Sequence, residues 1–220
     1  TVTRALVKDS TAAGTTPIAP TFSSDQGGNT NWNFGGAVAF MWTGNVSTDW
    51  NGAGNWDQGY VPNPADGVTI PTGATRMPIL TVAASVASII IQNAAILDLA
   101  SFNLAVSGTL NINTGGTFRL QGGQTVTIGT RTFAGTVEYN GTGSYAGLAA
   151  GNTGFSYGSL LFSGSTGTWT LSGGALSVSS DLTISSAGAT LDVSAGDLGV
   201  SVGGSWSNVG TFVPRSGTVT

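Results

Sequence analysis

From Leu176 onward, the leading apolar residue of each short triplet falls at positions 176, 182, 191, 198, 206, 212 and 219, six steps in 43 residues. No other feature of the chain restricts its fold so tightly. The triplets Leu176-Ser177-Val178, Leu182-Thr183-Ile184, Leu191-Asp192-Val193 and Leu198-Gly199-Val200 place two apolar side chains on one face of an extended segment. That is the period-two pattern of a half-buried strand. Leu110-Asn111-Ile112, Phe118-Arg119-Leu120, Val126-Thr127-Ile128 and Val137-Glu138-Tyr139 follow the same rule earlier in the chain. No i, i+3, i+4 stripe is sustained and strong helix formers are scarce, so the chain reads as all-β.

The spacing then selects an architecture. Steps of about seven residues are shorter than the roughly 8–12 of ordinary sheet proteins. A solenoid coil with three short strands and three bends needs roughly 20–24 residues, inside the usual repeat range. The chain also resembles itself at an offset of 94: Leu97-Asp98-Leu99 with Leu191-Asp192-Val193, and Gly116-Thr117-Phe118 with Gly210-Thr211-Phe212. Four coils of about 23–24 residues account for that offset. The expected fold is therefore a parallel β-helix (β-solenoid) of roughly 20–24 residues per coil with an aromatic-rich N-terminal cap. An antiparallel β-sandwich is the alternative, because Gly115-Gly116, Gly122-Gly123 and Gly173-Gly174 also suit hairpin turns.

Composition removes whole classes of chemistry. Cys and His are both absent, which excludes thiol nucleophiles, Ser-His-Asp triads and the common zinc sites. Charged residues make up 7% of the chain and the net charge is −4, against the clustered Lys and Arg that nucleic acid requires. Stacked identical charges repel at strand spacing, whereas Ser, Thr and Asn can hydrogen-bond along a ladder, so a stack of coils favours this composition. The hydrophobic fraction of 40% is patterned, unlike that of a disordered chain. No stretch approaches the roughly 18–20 apolar residues of a membrane span.

Three segments are expected. Residues 1–31 form an irregular arm punctuated by Pro17 and Pro20. Residues 32–66 form a cap holding Trp32, Phe34, Phe40, Trp42, Trp50, Trp56 and Tyr60. Residues 67–220 form the solenoid, whose C-terminal end, within Ser216-Gly217-Thr218-Val219-Thr220, carries no cap signal.

Trp42-Thr43-Gly44, Asp49-Trp50, Asn55-Trp56, Gly59-Tyr60-Val61-Pro62 and Asp66-Gly67-Val68-Thr69-Ile70-Pro71 resemble a module of very large secreted bacterial surface proteins. These are the adhesin and filamentous-haemagglutinin type, in which such a segment opens a parallel β-helix. Gly203-Gly204-Ser205-Trp206 and Ser216-Gly217-Thr218-Val219-Thr220 resemble that family's coil repeats. The resemblance implies an extracellular, cell-surface location and a shaft-like role.

Candidate sites follow from these readings. A shaft unit would associate with itself head to tail, or with flanking coils of a longer chain. Val2, Ala5, Leu6 and Val7 could lend a strand to a neighbour, and Val219 stands at the receiving end. Trp32, Trp42, Trp50 and Trp56 could stack on a glycan, against the simpler reading that they close a hydrophobic end. Asp49, Asp57 and Asp66 could supply calcium oxygens, against turn and cap hydrogen bonds; no other cofactor is expected. Catalysis on polysaccharides would have to draw on Asp98, Glu138, Asp181, Asp192 and Asp197, with Arg76, Arg119, Arg131 and Arg215. Asp98 and Asp192, equivalent in the 94-residue offset, read as an outward ladder. The leading expectation is a non-enzymatic fibre unit; a glycan-binding adhesin module and a carbohydrate-active enzyme are the alternatives.

Overall fold

The computed structural model describes residues 2–14, 18–20, 23–32, 37–151 and 153–220. Pro17 and Phe34, two of the residues used above, lie outside the described residues.

The chain winds as a parallel β-solenoid of about seven turns. Strands one turn apart lie side by side in strips. The first strip contains Ala39–Met41, Gly67–Ile70, Ser88–Ile91 and the C-terminal halves of Leu104–Ile112 and Val126–Phe133. The second contains Ile96–Asp98, Thr117–Leu120, Thr136–Tyr139, Ser159–Phe162, Leu182–Ile184 and Trp206–Asn208. The third begins with Ala84–Val86 and the N-terminal halves of the two long strands. Farther along, a separate sheet takes the third position: Ser144–Ala146, Thr168–Thr170, Thr190–Asp192 and Thr211–Val213. Every pairing between these strands is parallel, which excludes the sandwich. Among the described residues helix is confined to one 3-10 turn, Ala53–Asn55, and no helix is long and apolar enough to cross a membrane.

Along the second strip Leu97, Phe118, Val137, Leu160, Leu182 and Trp206 stack in register, giving turns of 21, 19, 23, 22 and 24 residues. The first five are at most 1% exposed. The alternating pattern fixes this register, since a one-residue slip would turn every inward side chain out. Gly residues at the corners let successive backbones touch. A Cβ on Gly135 would overlap the carbonyl oxygens of Asn113 and Gly116 one turn below.

The offset of 94 residues has a different origin from the one expected. Leu97 and Phe118 belong to the second strip, whereas Leu191 and Phe212 belong to the third. Leu104 is in the third, whereas Val200 continues the first through Leu176–Val178 and Tyr157. Ninety-four residues thus advance the chain four turns and one strip, not four turns. Asp98 and Asp192 consequently do not form one ladder. They share a corner design instead. Each carboxylate accepts the amide two residues on, Ala100 N at 2.7 Å and Ser194 N at 2.9 Å. Those residues adopt φ of 47° and 71°, and each Asp faces an arginine one turn later.

The arm is more regular than expected. Leu6–Val7 pairs in parallel with Ser24–Asp25, and Thr11 bridges Thr30, an offset of 18 or 19 residues. Ala5 N donates to Ser23 Oγ, and Val7 is buried. The boundary at residue 66 also cuts through a sheet, because Ala39–Met41 is already a rung of the first strip.

Candidate functional sites at the sealed end and on the outer faces

The aromatic segment folds over the first rungs through edge-to-face contacts. The Trp56 ring meets Phe40, Trp42 and Trp50 at centroid distances of 6.0, 5.0 and 4.8 Å, and Tyr60 packs on Phe40 at 4.9 Å. Trp42, Trp50 and Trp56 are 0%, 2% and 3% exposed. Two indole N–H groups are satisfied within the layer, Trp42 Nε1 by the Arg76 carbonyl at 2.6 Å and Trp56 Nε1 by the Trp50 carbonyl at 2.8 Å. Sugar stacking needs an open ring face. These three rings offer none and act as the hydrophobic lid; Trp32, half-buried and bridged to Ile18, sits outside that cluster.

One polar residue holds the lid together. Asn55 is fully buried, and its Oδ1 accepts Val46 N at 2.9 Å and Ser47 N at 2.8 Å. Its Nδ2 donates to Ser47 Oγ and the Asp49 carbonyl, both at 2.9 Å. The sequence shows only an Asn before a Trp; its partners lie six to nine residues back, so nothing local singles it out.

The three aspartates considered as calcium ligands are engaged in backbone and hydroxyl contacts. Asp66 Oδ1 accepts Val38 N and Oδ2 accepts Asn63 N, each at 2.9 Å. Asp57 Oδ1 accepts Met41 N at 2.9 Å. Asp49 Oδ1 accepts Asn51 N at 3.0 Å and Thr81 Oγ1 at 2.6 Å. Asp57 thereby occupies a donor on the outer edge of strand Ala39–Met41, where another chain could otherwise pair, whereas Asp66 ties Val38 on the inner side, beside its bond to Gly67. Among the described residues no three acidic side chains converge as a metal-binding group.

The outward acids and arginines are dispersed along the solenoid. Asp98, Arg119 and Glu138 stack at one register position of the second strip. Arg119 lies 2.8 Å from Glu138 and 3.6 Å from Asp98, so the sign alternates rung by rung. Burial pulls the Arg119 pKa down, but the hydrogen bond and charge of Glu138, with Asp98, outweigh it and leave it raised. Asp181 and Asp197 accept the amides of Ser205 and Ser216 one turn on. Arg76 donates to the carbonyls of Gly44 and Asn45.

Arg131 breaks the pattern, because its register partner is the inward Leu110. Its guanidinium donates to the carbonyls of Ala150 and Ile128 and lies 5.1 Å from the Phe155 ring centroid. Beside it Tyr139 and Tyr157 are fully buried, with Tyr139 Oη accepting Ala150 N at 3.0 Å and Tyr157 Oη donating to the Gly151 carbonyl. Desolvation pushes the Tyr139 hydroxyl up to about 12, so it is a neutral hydrogen-bonding group at ordinary pH.

Of the self-association candidates, Leu6 is 64% exposed, Val2 and Ala5 are half-buried, and Val7 is buried in the arm's own strand pair. Val219 bridges Val200 and remains 45% exposed. Around it the last turn exposes Val209, and Trp206 and Phe212 pack edge to face at 4.8 Å while only partly covered.

A family model described as a domain of unknown function (DUF8693) matches residues 41–144, from the aromatic lid to the strand Ser144–Ala146. No curated protein and no solved structure matches the chain.

Proposed function

We propose that this chain is a structural shaft unit of an extracellular bacterial surface protein, extending end to end through further turns of like winding. The observation that carries the reading is the run of parallel strands, in register through the second strip from Ile96 to Asn208. Hydrogen bonds between turns point along the solenoid, and repeat stacks of this kind gain stability from each neighbour interface. The two ends differ: the first-rung edge is occupied by Asp57 and the aromatic lid, whereas the last turn offers Trp206, Phe212, Val209 and Val219 to a partner. That partner is a second copy head to tail, or neighbouring coils of a longer chain. The likeness of the Trp42–Pro71 segment to surface-protein modules supports the location.

Sedimentation velocity over a concentration series, with negative-stain microscopy, tests this. The chain is expected to form oligomers or filaments that the double substitution Val209→Asp, Val219→Asp weakens, because it places carboxylates on the exposed turn. Deletion of residues 1–10 is expected to weaken them also. A monodisperse monomer at high concentration, indifferent to both changes, would overturn the proposal.

A further inference from the structure

Between the arm and the lid lies a cleft of about 270 Å³, formed where residues 25–27 approach the turns around Asn51, residues 61–64 and residues 82–85. Its lining includes the apolar residues Val61, Pro62, Pro64 and Val82, the last 50% exposed. The polar residues Asp25, Asn51 and Ser85 line it as well. We infer that this cleft binds a neutral polyhydroxylated ligand, of the size of one or two pyranose residues. The inference does not depend on the shaft proposal.

The lining chemistry restricts the ligand. Among the described residues no Lys or Arg lines the cleft, so phosphates, sulfates and uronates would bring a charge with no counter-ion. Asp25 is the one charged residue among the described lining residues, and its Oδ1 already accepts Gly27 N at 2.9 Å and Asn29 Nδ2 at 2.6 Å. Those bonds fix the carboxylate and compensate part of its charge, leaving Oδ2 as an acceptor for a hydroxyl. Asn51 Nδ2 has only a 3.5 Å contact to Thr81 Oγ1, at the limit of a hydrogen bond, so its amide can serve both as donor and as acceptor. A mainly apolar lining with a few polar groups is the general form of a small-ligand site. A pyranose matches it, because one face of the ring presents C–H groups and its rim presents hydroxyls. The Asn29 side chain also donates to the Val7 carbonyl at 2.7 Å, which ties the Asp25 corner to the arm's strand pair and preorganises it.

Saturation-transfer NMR of the full chain with maltose, cellobiose and lactose tests the inference, with glucuronate and spermidine as charged comparators. Trp50 lines the cleft, so its fluorescence gives a second readout. At least one neutral disaccharide is expected to show transfer to its ring C–H protons, with millimolar affinity. Asn51→Ala should weaken it about five- to tenfold, the loss of one hydrogen-bonding group. Ser85→Trp, at an exposed position, should fill the cleft and abolish transfer while circular dichroism and the thermal midpoint stay unchanged. The inference is overturned by absence of transfer from all three sugars, by transfer that survives Ser85→Trp, or by spermidine binding more tightly than any sugar.

Discussion

Asn55→Ala is the sharpest test of how the sealed end is held. The substitution removes four hydrogen bonds of 2.8–2.9 Å made by a side chain with no exposed surface. A neutral hydrogen bond contributes about 1 kcal/mol net, and a buried group stripped of its partner costs about 1–3 kcal/mol. The abandoned groups are unequal. Val46 is 67% exposed, so water can reach its amide, whereas the Asp49 carbonyl and Ser47 lie closer to the lid. Counting the four bonds at about 1 kcal/mol each, and allowing for that hydration, the expected loss is about 3–4 kcal/mol. Urea unfolding monitored by tryptophan fluorescence suits the measurement, because Trp42, Trp50 and Trp56 report on this end. The midpoint should fall and the lid should melt before the coils beyond residue 96, as expected of a stack with nearest-neighbour coupling. Asn55→Asp keeps the shape but turns the Nδ2 donor into an acceptor facing the Asp49 carbonyl, and should be no better tolerated near neutral pH. A cost below about 1 kcal/mol for Asn55→Ala would refute the reasoning, since it would mean that the aromatic contacts alone fix the 43–55 loop.

Two further outcomes are expected. Asp192 is held below its ordinary pKa of 3.8, first by the hydrogen bond from Arg215 and then by the Ser194 amide and the arginine's charge, against a desolvation that raises it. A depressed carboxylate stabilises the fold above its unfolded pKa and loses that contribution as pH falls through the folded value, so the last turn should loosen below about pH 3.8. Carboxyl NMR titration should show Asp192 returning toward 3.8 in Arg215→Met, and an unchanged titration would count against the ion pair. Gly164→Ala should destabilise by about 1–3 kcal/mol or more, because the new methyl overlaps the Gly141 carbonyl one turn below and approaches Trp169. A thermal midpoint equal to that of the parent chain would show that the corner can spread.

Strand triplets at seven-residue intervals pointed to the parallel winding and to turns of roughly 20–24 residues, because inward positions must recur wherever a coil closes on a packed interior. The Gly-Gly pairs left a sandwich open, and the parallel register of the strands closed it. The lid was legible as a run of aromatics, and Asp49, Asp57 and Asp66 as residues suited to turn hydrogen bonds. The arm was not legible: two-residue strands such as Leu6–Val7 carry too little alternation to stand out among Ser, Thr and Gly.

The sequence by itself determined which side chains face inward and roughly how many residues make a turn. Both follow from local alternation and from the need to bury apolar surface. Only the tertiary structure decided what lies above what. Asp98 and Asp192 look equivalent in the chain yet belong to different strips, since 94 residues do not make a whole number of turns. The alternating Asp98–Arg119–Glu138 ladder, the Asn55 hub and the cleft beside Asp25 likewise join residues brought together by the actual length of each turn. Single bulges and loops, such as the one after Ala146, set that length, and no local pattern encodes their sum.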